Sequence, residues 1–209
     1  MDDADDLPLR WRTPTAWADV AVAAPLRLLD DHAHLERDAA VNALALLRRL
    51  PADRPAERWV RALTGVARDE VDHLGTVTRE LTRRGGELSR SHRNPYAAGL
   101  RDHVRTGQGP DELVDRLLVS ALIELRSCER FGLLAATGSE LAALYADLTA
   151  SELGHYRLFL RLAAQVVPAE AATARWDELL DVEATVASAQ PPGPRMHAGA
   201  PTEGTTGAP

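Results

Sequence analysis

The sequence predicts an all-α fold: a four-helix bundle of two helical hairpins joined by one long crossover, with short extra helices at each end. Three observations carry that prediction. The apolar content rests on Leu and Ala, which favour helix, while aromatics make up only 4% and isoleucine occurs once, at Ile123, so an all-β fold is excluded. Pro and Gly breakers cut the chain into pieces of helical length. Each long piece carries apolar residues at helical spacing.

The elements follow in order. Thr13 and Pro14 read as an N-cap with proline at the first helical position, opening a short helix to about Ala23. Pro25 restarts the chain, and a long helix runs to about Leu50, where the Pro51–Pro55 cluster breaks it. A second long helix covers about Ala56 to Arg84 and stops at Gly85-Gly86. Residues 85–109 form the crossover, with a short helix from Tyr96 to Arg105. Gly109-Pro110-Asp111 opens a third long helix ending near Thr137-Gly138, and Ser139-Glu140 opens a fourth reaching about Val167. Pro168 begins a last helix to about Ala189. Two tight hairpins separated by one long connection make the ferritin-like arrangement. Residues 1–189 are expected to form a single domain. Residues 190–209, with five Pro and four Gly, are expected to be a disordered tail.

Composition removes several classes of chemistry. All 24 basic residues are Arg, so there is no lysine for a Schiff base or a P-loop. The lone cysteine, Cys128, excludes a disulfide framework and any thiolate-built metal cluster. The N-terminus is acidic where a signal peptide would be basic, and no run approaches the ~18 apolar residues of a membrane span. A cytoplasmic protein without membrane association is therefore expected. A net charge of −7 argues against nucleic-acid binding by the whole surface, though not by a local patch.

The chemistry lies on the core-facing stripes. Each long helix carries one glutamate in the middle of its stripe: Glu36, Glu70, Glu124 and Glu152. The second and fourth add a histidine one turn on, giving Glu70-x-x-His73 and Glu152-x-x-His155, and an i, i+3 pair shares one helix face. Four buried carboxylates need cations. Two divalent metals balance four glutamates with both imidazoles neutral, and oxygen ligands with imidazole suit iron or manganese. Spacing agrees: Glu36 and Glu70 are centred on position 53, in the first turn, and Glu124 and Glu152 on Gly138, in the second. Glu129 is displaced by about 140° from the Glu124 stripe, which makes it structural or a neighbour of the ligands rather than a ligand. His32 reads as a hydrogen-bonded histidine, Cys128 as a packing residue with a substrate-pocket wall as the alternative, and Tyr145 and Tyr156 as packing residues with a hydrogen-bond donor to the ligands or a radical relay as the alternative.

Several segments resemble the MiaE-type tRNA hydroxylases: Leu28 through Glu36, Arg68 through His73, Tyr96 through Arg101 with His103 to Arg105, and Leu113 through Phe131. The most specific is Ile123-Glu124-Leu125-Arg126-Ser127-Cys128-Glu129-Arg130-Phe131, and the likeness runs from about Thr13 to Gln165. His34, Leu125 and the Pro-rich tail depart from the pattern. The resemblance implies a non-haem di-iron monooxygenase that uses O2. Its substrate would be the isopentenyl side chain of 2-methylthio-isopentenyl-adenosine beside the tRNA anticodon. By motif match the iron ligands fall on the same six residues.

Residues 83–107 hold Arg83, Arg84, Arg90, Arg93, Arg101 and Arg105 against Glu87 and Asp102, so these arginines are candidate phosphate contacts. No flavin or Rossmann motif is present, so electrons are expected from a separate reductase or ferredoxin. The competing readings are a di-iron oxygenase acting on a small metabolite and an iron-storage or oxidative-stress protein.

Overall fold

The computed structural model describes residues 7–52 and 54–201. Seven α-helices and no strand occur among them: α1 (Ala16–Ala23), α2 (Pro25–Leu46), α3 (Ala56–Arg83), α4 (Pro95–Arg101), α5 (Pro110–Ala136), α6 (Ala142–Val166) and α7 (Ala169–Ser188). A 3₁₀ turn at Leu47–Arg49 finishes the first long helical run. Helix α2 packs along α3 and α5 along α6, so the two hairpins of the bundle are those the breakers predicted. No helix among the described residues is long and apolar enough to cross a membrane.

Helix ends follow local chemistry. Gly85 takes φ +81° beyond α3, Gly85 N–H reaches Thr82 O at 2.9 Å and Gly86 N–H reaches Leu81 O at 3.0 Å, a paired closure that only a left-handed residue permits. Gly138, at φ +64°, performs the corresponding turn between α5 and α6. Asn94 caps α4 by accepting Ala97 N–H at 3.0 Å, with Pro95 at the first position. Helix α4 stops at Arg101 rather than Arg105, because Arg105 N–H is taken by the Asp115 carboxylate at 2.9 Å.

Two corrections concern the ends of the bundle. Thr13 is not an N-cap: its N–H and hydroxyl donate to Glu129 at 2.9 and 2.7 Å. Residues 190–201 are not a disordered tail. Asp31 accepts Met196 N–H at 2.8 Å, Trp17 donates to Arg195 O at 3.2 Å, and Arg130 donates to Ala198 O at 2.9 Å. Met196 and His197 are buried as a result. Residues 202–209 lie outside the described residues.

The same interactions explain the Arg126-to-Arg130 stretch of α5. Arg126 is fully buried and bidentate to Glu183 of α7 at 2.8 and 2.7 Å, pairs with Glu129, and donates to Trp11 O at 3.1 Å. Tyr96 O–H adds a bond to Glu183 at 2.9 Å. Arg130 lies over the Trp17 ring, 4.1 Å from its centre. The stretch thus ties Trp11, Thr13, Trp17, Ala198 and α7 to α5.

The apolar core comes in two clusters. One gathers Ala43, Leu46, Trp59, Leu63, Leu117, Leu122, Phe159 and α7. The other gathers Trp17, Leu28, Leu29, Val77, Leu81, Phe131, Leu141 and Tyr145. Between them, along each of the four long helices, lies a layer of buried glutamate and histidine.

Candidate metal centre

The six residues singled out by stripe position come together in that layer. Glu36 of α2, Glu70 and His73 of α3, and Glu152 of α6 each offer an atom within 4.8 Å of the others. Glu70, Glu124 of α5, Glu152 and His155 of α6 form a second such group. Glu70 and Glu152 belong to both. The arrangement has two adjoining positions, each with one carboxylate and one imidazole of its own and two carboxylates in common.

Whether these residues fit metal ions is decided by their unmet polar atoms. Glu70 Oε1, His73 Nδ1, Glu152 Oε1 and His155 Nδ1 are buried without a hydrogen-bond partner. They are nevertheless crowded together: His155 Nδ1 lies 2.8 Å from Glu70 Oε1 and His73 Nδ1 lies 3.1 Å from Glu152 Oε1, without hydrogen-bond direction. Leaving one such atom unmet costs about 1–3 kcal/mol, so four converging on one place are explained by cations between them. The donor set, four carboxylates and two imidazoles, suits hard or borderline divalent ions. The residues fit.

Without cations the layer balances itself with protons. Burial and the neighbouring Glu152 charge raise Glu70 to about 8, and the same two influences raise Glu124 well above the carboxylate range. Against burial, the surrounding carboxylates, Glu152 foremost, lift His73 to about 12 and His155 to about 10. Burial would also raise Glu36 and Glu152. Contact with His32 holds Glu36 below its usual range, and contact with His155 and His73 holds Glu152 at about 2. At neutral pH two carboxyl and two imidazolium protons therefore stand where two divalent ions would. Loading metal must expel them, so affinity for Mn2+ is expected to fall by more than about ten-fold per pH unit from pH 8 to 6. Calorimetry in two buffers of different ionisation enthalpy measures the released protons; binding without release would contradict this account.

Neighbouring side chains position the ligands. Asp69 accepts from His155 Nε2 at 3.2 Å, which leaves Nδ1 facing the cluster. His32 Nε2 sits 2.5 Å from Glu36 Oε1, and its ring lies against Phe131 and Tyr145, with centroids 5.1 and 5.5 Å away. Asp69 escaped the sequence reading because it stands beside Glu70 on a half-exposed face and its partner is 86 residues away. Asp69→Asn is expected to weaken metal binding by about 10- to 100-fold while leaving the fold intact; a competition titration against a chelator reads this. Cys128 is buried with its Sγ towards Thr149 O, a packing role, and burial pushes its thiol up.

The six crossover arginines divide. Arg83 pairs with Glu80 at 2.7 Å, Arg84 with Glu80 at 2.7 Å and Glu140 at 2.8 Å, and Arg105 with Asp115 at 2.8 Å and Asp111 at 3.1 Å. All four carboxylates lie outside residues 83–107, so the local positive balance of that segment is partly cancelled in space. Arg90, Arg93 and Arg101 are exposed, and Arg93 lines a cavity beside α2.

Comparison with known proteins follows the same lines. Residues 4–198 match the family model described as tRNA-(MS2IO6A)-hydroxylase (MiaE). A tRNA 2-(methylsulfanyl)-N(6)-isopentenyladenosine(37) hydroxylase of Pseudomonas putida is 40% identical over 152 residues, covering 72% of this chain and 72% of the relative. The protein of that name from Salmonella typhimurium is 35% identical over 138 residues, covering 66% of this chain and 50% of the relative. Among solved structures, a Synechococcus protein described as having aldehyde deformylating oxygenase activity superimposes with a TM-score of 0.84 at 33% identity, covering 94% of this chain and 98% of that one.

Proposed function

The chain belongs to the MiaE family of tRNA hydroxylases, and from that premise we propose that it is an O2-dependent di-iron monooxygenase. Its substrate is the isopentenyl group of 2-methylthio-isopentenyl-adenosine next to the tRNA anticodon. The observation that carries the reading is the pair of adjoining ligand groups sharing Glu70 and Glu152. In this reading Glu36 and His73 would hold one iron and Glu124 and His155 the other, with Glu70 and Glu152 available to both. Iron in these positions supplies the activation of dioxygen that a protein side chain cannot.

The chain's own residues supply the rest. Four helices fix the ligands from four directions, and Asp69 and His32 orient His155 and Glu36. The apolar clusters on either side of the layer keep bulk water from the reacting centre. Overall, one oxygen atom enters a C–H bond and the other leaves as water, which takes two electrons and two protons per turnover. A separate reductase or ferredoxin provides the electrons. The tRNA meets the exposed arginines of the crossover.

A second reading, a di-iron oxygenase acting on a small metabolite, has support from the aldehyde-oxygenase activity of the Synechococcus neighbour. One experiment separates them. Iron-loaded protein is incubated with O2, a reductant and tRNA bearing the 2-methylthio-isopentenyl base, and the nucleosides are weighed by mass spectrometry. Gain of one oxygen on that base supports the tRNA reading. No gain, with two irons bound, rejects it and leaves the small-molecule reading.

A further inference from the structure

A cavity of about 970 Å3 opens between α2, the crossover and the C-terminal segment, with Arg27, Arg93 and Arg195 on its walls. A narrower crevice of about 60 Å3 shares Leu35 and Asn94 with the larger cavity and has Ala39, Val119, Ile123 and Glu124 among its lining residues. We infer that the two form one substrate path: the cavity receives the target nucleotide of the tRNA, and the crevice admits its alkyl side chain towards Glu124. The inference rests on the tRNA reading above and adds where that RNA binds and which residues select its side chain.

Charge favours a nucleotide in the outer cavity. The three arginines are exposed and have no carboxylate partner among the described residues, unlike Arg83, Arg84 and Arg105. The two acidic residues on the same wall are turned to other work. Asp30 accepts Ser89 N–H at 2.7 Å, and Asp31 accepts His92 Nε2–H at 2.7 Å and Met196 N–H at 2.8 Å. Three arginines against these two aspartates leave the lining with a small positive excess, which suits a phosphate backbone. His197, its ring tilted against Tyr96 with centroids 4.4 Å apart, lines the cavity with a buried Nε2 that has no partner among the described residues, a polar atom that a base edge would satisfy.

The inner crevice is of mixed character. Leu35, Ala39, Ala97, Val104, Val119 and Ile123 give it an apolar side, while Asp38, Asn42, Arg101, Arg116 and Ser120 line the rest around the Glu124 carboxylate. A short branched hydrocarbon has the apolar side to lie against on its way to Glu124. The C-terminal segment thus becomes a wall of the site: Arg195 sits on it, fixed by its donation to Arg93 O at 3.2 Å.

The test uses Mn2+-loaded protein, without turnover, and a fluorescent anticodon stem-loop carrying the 2-methylthio-isopentenyl base. The Arg93→Ala, Arg195→Ala double variant is expected to raise Kd at least ten-fold and to flatten the salt dependence. Arg61→Ala, at the other end of the bundle and paired with Glu57, is expected to stay within two-fold. Equal losses in both, or none in the double variant, overturn the cavity assignment. Ala39→Leu, with Ala39→Val as a milder companion, is expected to keep RNA affinity and two metals but lose more than ten-fold in hydroxylation by the iron-loaded protein; unchanged turnover overturns the crevice assignment. If wild-type protein neither prefers this stem-loop over an unmodified one nor hydroxylates it, the tRNA reading itself fails.

Discussion

Glu152→Ala is expected to reduce bound metal from two ions per chain to less than one and to lower hydroxylation by more than about 100-fold. Removing a residue that merely orients a ligand weakens a site by about 10- to 100-fold, and Glu152 lies in both ligand groups. The loss therefore strikes both positions, whereas Glu36→Ala is expected to spare the Glu124–His155 position. Metal content by mass spectrometry and cobalt absorption distinguish the two variants. Full occupancy in Glu152→Ala would refute the bridging role. The isosteric Glu152→Gln guards against a cavity effect, since it keeps the volume and removes the charge.

The largest effect on stability is expected outside the metal layer, at Arg126. Substitution by Ala strands Glu183 and Glu129 in the protein interior with their counter-charge gone, and breaking a buried pair in this way destabilises by about 3–5 kcal/mol. It also releases Trp11 O and the cation–π contact with the Trp11 ring. Urea unfolding is expected to show a lower midpoint. Arg126→Met combined with Glu183→Met is expected to recover only the part of the loss due to Glu183, because Glu129 stays buried without its counter-charge and Tyr96 O–H loses its acceptor. A single variant as stable as wild type would show that the network is not what holds α7 in place.

How much of this was legible beforehand depended on how local each cause is. Glu36, Glu70, Glu124 and Glu152 stand out because a glutamate at the centre of an apolar stripe violates the helical period, and that is a property of one helix at a time. Their common height follows from hairpin symmetry about positions 53 and 138. Arg126 and Glu183 are 57 residues apart, and Thr13 and Glu129 are 116 apart, so neither pairing has any local signature. Thr13 before Pro14 has the form of a cap, yet a buried carboxylate from another helix outcompeted that role. The Pro and Gly content of residues 190–201 describes a chain with little regular structure, and that much is true. Its order comes from three bonds to Asp31, Trp17 and Arg130, which composition does not encode. The crossover arginines failed in the same direction: a window of sequence counted Arg105 as free charge, while Asp115 was waiting on α5.

The division of the apolar interior by a polar layer bears on cooperativity. Stripped of metal, the bundle resembles two small hydrophobic bodies stacked end to end, joined through a seam whose glutamates and histidines are held by protons alone. Helices crossing such a seam can open on one side while the other stays closed, so amide exchange in the metal-free protein is expected to show two distinct opening energies. Bound ions would draw all four long helices to one point and oblige the halves to open together. Metal loading would then do more than equip a reaction centre: it would convert a two-unit scaffold into a single folding unit.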